Sequence, residues 1–91
     1  MKRQIDFWDR MDLPGESFPG QALIEITEER RILIEHHRGV RAYRSNQICV
    51  NVRFGAVIIQ GSCLELKCMT RDQLVITGRI DSIQLERKEK P

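Results

Sequence analysis

The chain has 91 residues, a formal net charge of +2 and a hydrophobic content of 41%. This length fits one domain with a modest core and leaves little room for a second. The composition is far from that of disordered chains. No stretch approaches the roughly 20 apolar residues that span a bilayer, and we expect neither a signal peptide nor a transmembrane segment. Three cysteines without a Cys-x-x-Cys pair indicate neither a disulfide framework nor a zinc ribbon, so we expect a reducing cytoplasm.

The first part of the chain predicts a short amphipathic helix over residues 4–12 and a linker with two Pro-Gly pairs over residues 14–20. The apolar stripe of this helix, at helical spacing, consists of Ile5, Phe7, Trp8 and Met11. So short a helix does not persist alone in water. We therefore expect the stripe to dock on the domain's own sheet, on a second subunit or on a membrane surface.

From residue 21 to residue 87 the hydrophobic period is two, which is the period of β-strands. Turn residues divide this region into about eight short strands, at 22–27, 31–36, 39–43, 47–53, 55–60, 63–68, 73–77 and 80–86. The alternation is typical of an antiparallel sheet with one solvated face. We predict an all-β antiparallel meander, closed as a sandwich or a roll, followed by a tail at residues 88–91.

Two β-branched runs closed by glycine, Gly55–Gly61 and Gln73–Gly78, match one another when Gly78 is aligned on Gly61. Two copies are fewer than a solenoid needs, so the simpler interpretation is a pair of stacked hairpins, with solenoid-like stacking as an alternative. We expect Gly39, Gly61 and Gly78 to adopt conformations that are costly for other residues.

Successive side chains of a strand point to opposite faces, and this strand parity predicts which side chains form the core. The inward-facing residues are Leu23, Ile32, Ile34, Ile48, Val50, Val52, Val57, Ile59, Leu64, Leu66, Leu74, Ile76, Ile83 and Leu85. The same parity places Cys68 inside and Cys49 and Cys63 outside.

The sequence offers little chemistry for catalysis or metal binding. His36 and His37 are neighbours on a predicted strand, so they point to opposite faces and cannot share a metal ion. A glycine-rich phosphate loop is also absent. We expect no enzymatic activity, no cofactor and no metal site. A thiol hydrolase that uses Cys63 or Cys49 with His37 is the remaining enzyme hypothesis.

Residues 30–53 carry six arginines against one acidic residue, Glu35. The arginines are Arg30, Arg31, Arg38, Arg41, Arg44 and Arg53. Such a stripe is either a solvated face or a surface for an acidic protein, an anionic lipid or a nucleic acid. Only Tyr43 and Phe54 lie nearby to stack on bases, which favours a protein partner. The candidate partner-binding residues are Phe7, Trp8, Met11, Arg38, Arg41 and Arg44.

Three spaced motifs occur along the chain: Ile34-Glu35-His36-His37-Arg38-Gly39-Val40 with Tyr43, Val50 and Gly55, then Ile59-x-Gly61-x-x-Leu64-x-Leu66, and Leu74-x-Ile76-x-Gly78-x-Ile80-x-x-Ile83. Together these motifs resemble the YabP/YqfC family of sporulation proteins. The Glu-x-His-Arg-Gly segment and the preceding Leu13-Pro14 are similar to the YqfC branch. The chain departs from the family pattern at His36, where asparagine is expected, and at Val40, where isoleucine is usual.

The resemblance implies a non-enzymatic assembly or scaffold factor of endospore-forming Firmicutes, made in the mother cell under its early sigma factor. It also implies a cytoplasmic location at the periphery of the forespore outer membrane and a membrane-protein partner, YqfD. Self-association is a further expectation for so small a β domain. The alternative function is a nucleic-acid-binding small β barrel that uses the Arg30–Arg53 stripe.

Overall fold

The computed structural model describes residues 20–88, which form one antiparallel sheet of six strands. The strands are β1 Leu23–Thr27, β2 Arg31–Glu35, β3 Val40–Arg44, β4 Gln47–Val52, β5 Gly55–Met69 and β6 Gln73–Arg87. Their order across the sheet is β1-β2-β6-β5-β4-β3. The predicted all-β antiparallel class is confirmed for this part of the chain. The predicted helix, with Phe7, Trp8 and Met11, lies outside the described residues.

The prediction of about eight short strands is wrong, because the last four predicted strands are two long ones. β5 and β6 have 15 residues each and pair with one another along their length. The chain does not turn at Gly61 or Gly78. Instead the pairing register of β5 and β6 shifts between Gln60 and Gly61 and again between Ser62 and Glu65. A register shift of this kind bends a strand without ending it.

The simple meander is also only part of the topology. β3, β4, β5 and β6 follow one another across the sheet, but the β1–β2 hairpin attaches to the far side of β6. β4 pairs with the first half of β5, through residues 55–60, and β2 pairs with the first half of β6, through residues 73–77. Since the middle of the β5–β6 ladder is bent, the two halves of the sheet face each other across one core.

The sequence match between the two glycine-closed runs corresponds to an internal twofold repeat of this sheet. Shifting the sequence against itself so that Gly78 falls on Gly61 also brings Val40 onto Leu23. These two residues are the first residues of β3 and β1. The Gly61 N–H donates to the carbonyl oxygen of Asn46 in the β3–β4 turn, at 3.2 Å. The Gly78 N–H donates to that of Arg30 in the β1–β2 turn, also at 3.2 Å. The unit β3-β4-β5 is therefore repeated as β1-β2-β6 about an axis through the centre of the β5–β6 ladder.

The core lies between the two halves and matches most of the predicted inward faces. Its buried members are Ile32, Ile34, Ile48, Val50, Val52, Val57, Ile59, Leu64, Leu74 and Ile76. Leu66 and Ile83 are partly buried and pack against this cluster. No polar or charged residue among residues 20–88 is buried. Apolar burial is therefore the main source of stability in the described domain.

Four predictions of parity are wrong. Leu23 is 51% exposed because it pairs with Glu35 on the outer face, and Ile24 points inward instead. Leu85 is 61% exposed because β6 has no strand beyond it at that level. Cys68 is exposed because the register shift between Leu66 and Cys68 reverses its face. Cys49 is buried rather than exposed, between Ala42 and Ile58 in the sheet.

The predicted cost of replacing three glycines has two separate physical origins. Gly39 and Gly78 have φ values of +100° and +135°, in the region that favours glycine. Gly61 does not have a left-handed φ, and a Cβ there would collide with the carbonyl oxygen of Arg79. The conformational prediction is therefore confirmed for Gly39 and Gly78, whereas Gly61 is restricted by close approach of the neighbouring backbone.

We predict that Gly78→Ala lowers the free energy of unfolding by about 2–4 kcal/mol, since strain and collision act together. Its Cβ would lie 2.6 Å from the carbonyl oxygen of Cys63. Gly39→Ala is the matched control, because no atom lies within 4 Å of its Cβ and only the strain remains. That variant should lose about 1 kcal/mol. Equal losses in urea-induced unfolding would contradict a role for the β5 contact.

Candidate functional site

A groove at one end of the sheet is lined by four cationic side chains. Its volume is about 720 Å³, and its lining includes Arg38, Arg41, Arg87 and Lys88. Glu86 is the single acidic residue of the lining. Asn51, Val52 and Gly55 complete it. The groove therefore presents an excess of positive charge to an approaching ligand.

The sheet register brings these distant residues together. The Arg38 N–H donates to the carbonyl oxygen of Asn51 at 2.7 Å, and the Asn51 N–H donates to that of Gly39 at 2.8 Å. Asn51 pairs with Ala56 on β5, which pairs with Glu86 on β6. Residues 38–41 and the end of β6 thus lie at the same end of the sheet, with β4 and β5 between them, although the two segments are far apart in sequence.

Arg41 is the best-oriented cation of the groove. Its Nε donates to Oδ1 of Asn51 at 3.0 Å, and its Nη1 lies 3.4 Å from Oε1 of Glu86. Both side chains of the ion pair are about half exposed, so the pair contributes little to stability. Its effect is to fix the direction of the Arg41 guanidinium. Arg38, Arg87 and Lys88 form no ion pair within residues 20–88.

The six arginines of residues 30–53 do not all share this surface. Arg38 and Arg41 line the groove, whereas Arg44 lies at the opposite end of β3 and is not part of the lining. Arg30 precedes β2, and Arg31 is its first residue. Arg53 lies in the turn between β4 and β5.

Sequence reasoning missed Arg87 and Lys88, which complete the groove. Lys88 falls in the predicted tail, but its N–H donates to the carbonyl oxygen of Phe54 at 2.8 Å and extends the ladder. A regular alternation that runs from Ile83 to Arg87 is the available signal, since it indicates a strand that continues to the end of this segment.

The adjoining loop of residues 36–39 is fixed by an imidazole. The Gly39 N–H donates to Nδ1 of His37 at 3.0 Å, and Nε2 of His37 lies 2.9 Å from the carbonyl oxygen of Thr70. A neutral ring with its proton on Nε2 satisfies both contacts. His37 therefore positions the start of β3 and the arginines beside it. His36 is exposed and has a φ of 63°.

A model of the YabP family matches residues 20–91 of this chain. The chain belongs to the YabP family. The Bacillus subtilis (strain 168) protein described as "Uncharacterized protein YqfC" is 23% identical over 74 residues, which cover 81% of this chain and 80% of that protein. No solved structure matches the chain. The resemblance predicted from the Glu-x-His-Arg-Gly segment and the spaced glycine units is confirmed.

The structure gives a physical reason for one departure from the YabP pattern. His36, which stands where asparagine is expected, has the left-handed conformation. Asparagine, aspartate and histidine are the non-glycine residues enriched there. The substitution therefore keeps the backbone path of the loop.

Within residues 20–88, the His, Cys, Asp and Glu side chains are dispersed rather than clustered. No group of three or more His, Cys, Asp and Glu able to hold a metal ion occurs within residues 20–88. Cys63 and Cys68 are exposed and Cys49 is buried, all as free thiols. Within the same residues, no helix is long and apolar enough to cross a membrane.

We predict that His37→Ala lowers the free energy of unfolding by about 1–2 kcal/mol, because two hydrogen bonds to the backbone are lost. The amide resonances of Gly39 and Arg41 should shift in NMR spectra as the loop loosens. His36→Asn is the matched control and should leave both stability and resonances of β3 nearly unchanged. A loss of equal size in the two variants would contradict the positioning role of His37.

Proposed function

We propose that this YabP protein is a non-enzymatic sporulation factor that acts by docking a protein partner during endospore formation in the mother cell. The supporting observation is the groove, which places four cationic side chains against one carboxylate on a rigid sheet. Family membership and the resemblance to sporulation proteins supply the biological setting. The proposed ligand is an acidic segment of a partner protein.

Docking is favoured over thiol chemistry by the contacts of His37. The hydrolase hypothesis requires this imidazole as the base for Cys63 or Cys49. Both of its ring nitrogens are instead directed at backbone groups, those of Gly39 and Thr70. A base that already has both nitrogens engaged is poorly placed to accept a proton from a thiol.

The geometry of the groove suits electrostatic recognition. Arg41 is held in one orientation by Asn51 and Glu86, while Arg38 and Arg87 have no ionic partner in the described part of the chain. Exposed charges of this kind raise association rates and select the sign of the partner more than they raise affinity. The proposed partner is the membrane protein YqfD, which the family resemblance suggests. The proposed location follows, at the periphery of the forespore outer membrane.

Nucleic acid is the weaker alternative because the nearby aromatics have other roles. Phe54 packs against the core. The hydroxyl of Tyr43 accepts a hydrogen bond from the Leu66 N–H at 3.1 Å, on the edge of β5. Single-stranded nucleic acid is usually bound by aromatic rings that are free to stack on bases. A phosphate ligand without stacking would bind with a steep dependence on salt.

The segment before the sheet supplies a second proposed contact. Phe7, Trp8 and Met11 provide the large apolar side chains that anchor many protein interfaces. They precede Gly20, which lies beside the guanidinium of Arg53 at the β4–β5 turn. We propose that this stripe is the apolar anchor and the groove is the electrostatic guide.

We predict that the double reversal Arg38→Glu and Arg41→Glu slows association with the partner at least about tenfold at low salt. The measurement is the association rate on membranes from sporulating cells, with a pulldown to identify the bound protein. The control is Arg30→Glu with Arg31→Glu, which changes the same charge on exposed residues outside the groove. Equal slowing in the control would refute a specific role for the groove. Retention on RNA, lost in parallel with partner binding, would favour the nucleic-acid alternative.

We predict that deletion of residues 1–13 leaves a folded β domain that no longer recruits the partner. Strands β2, β4, β5 and β6 supply a buried apolar cluster of their own, so circular dichroism and the melting temperature should change little. Co-purification from sporulating cells is the deciding measurement. If the truncated chain recruits the partner like the full chain, the apolar stripe is not part of the interface.

A further inference from the structure

We infer that residues 81–87 of β6 form the edge on which a second copy of this chain pairs, antiparallel, about a twofold axis at Gln84. This contact forms whether or not the groove binds a protein partner. Two observations support it, which are the edges that the sheet leaves open and the order of side chains along one of them.

Residues 20–88 leave four stretches of strand without a neighbour on one side. They are β1, β3, the second half of β5 and the second half of β6. β3 is protected by a register shift between Val40 and Ala42 and by its arginines. The second half of β5 is interrupted by shifts on both sides of Leu66. β1 has only five residues. The second half of β6 is the longest regular open edge, since its pairing with β5 is unbroken from Ser82 to Arg87.

The backbone groups of this edge point away from the rest of the sheet. Lys88 donates to Phe54 across the ladder, so the even-numbered residues of this stretch bond to β5. The amides and carbonyls of Ile83, Leu85 and Arg87 therefore face outward. The pairing of β2 with β6 ends at Thr77, and no other strand of the described residues covers them.

Under the internal twofold repeat, the counterpart of this β6 edge is the open edge of the second half of β5, and the two edges differ. On the β5 side, the Tyr43 hydroxyl accepts a hydrogen bond from the Leu66 N–H and occupies the edge. The repeat makes Ile83 the counterpart of Leu66 and Ile26 the counterpart of Tyr43. Isoleucine has no acceptor, so Ile26 cannot cap the Ile83 N–H. The repeat thus leaves one of two equivalent edges without its cap.

The side chains along the edge are complementary to themselves in reverse. An antiparallel pair centred on Gln84 places Asp81 opposite Arg87 of the second copy and Ile83 opposite Leu85. On the other face it places Ser82 opposite Glu86. No like charges oppose one another, and opposite charges or apolar residues in direct cross-strand pairs stabilise a sheet.

The exposure of side chains on β6 and the twofold symmetry of the contact both favour a second copy of this chain at the edge. Leu85 is 61% exposed, and pairing would cover it with Ile83 of the second copy. Asp81 has one distant contact, to Nε of Arg79 at 4.0 Å, and both side chains are largely exposed. A twofold contact uses the edge once on each copy and closes, so it removes the edge without leading to fibres.

A cysteine crosslink at the axis tests the register directly. In the inferred pair Gln84 faces its own copy in a non-hydrogen-bonded position, where Cα atoms lie about 4.5 Å apart and within disulfide range. Gln84→Cys in the full chain, with Cys63→Ser and Cys68→Ser, should form a disulfide dimer under mild oxidation. Ser82→Cys in the same background is the control, because the two copies of residue 82 lie too far apart. Equal crosslinking of the two variants would overturn the register.

Charge reversal with rescue tests the same pairing without a new covalent bond. Asp81→Arg and Arg87→Asp should each raise the dimer dissociation constant about tenfold in sedimentation velocity, because like charges then oppose at both ends. The double variant restores opposite charges and should recover most of the affinity. A full chain that stays monomeric at every concentration, or a double variant without recovery, would overturn the inference. Asp81 lies outside the groove lining, so the effect of its reversal is separate from partner binding in the groove.

Discussion

The ladder between β5 and β6 is the interaction on which the rest of this structure depends. Each strand is 15 residues long, and each serves as the template for a different neighbour, β4 on β5 and β2 on β6. The register shifts at its centre bend both strands, so the two templates face each other and enclose the core. A close contact at Gly61 and a left-handed φ at Gly78 make the bend possible. The single core and the groove at the ladder's end both follow from this geometry.

The sequence predicted the elements whose signal is local. The alternation of apolar and polar residues predicted β-strands, and it correctly assigned Ile32, Ile59 and Ile76 to the core. The glycines of the β5–β6 ladder were misinterpreted as turns, because a glycine that permits close backbone approach looks like a glycine that reverses the chain. Parity then failed beyond the register shift, at Cys68, since an extra residue moves every later side chain to the other face. The groove could be predicted only in part, because the strand pairing that brings Arg87 and Arg38 into one groove is set by tertiary structure.

The stability of this small domain comes from apolar burial. Its charged side chains lie at the surface, where we propose that they guide the encounter with a partner. The core contains no polar group within residues 20–88, and the ion pairs of that region are all at the surface. Binding determinants can therefore change without endangering the fold, provided that the strands keep their register. His37 is the exception, since it belongs to neither group and holds the loop that presents Arg38.

The strand order also bears on the order in which the strand pairs form during folding. The β1–β2, β3–β4 and β5–β6 contacts all join neighbours in sequence, as does β4–β5. Only the pairing of β2 with β6 closes a long loop, from Arg31 to Thr77. Closing this loop costs the most chain entropy, so we expect it to be a late step of folding. We accordingly expect the β1–β2 hairpin to detach as one unit when the native protein opens locally, which would expose the core along the first half of β6.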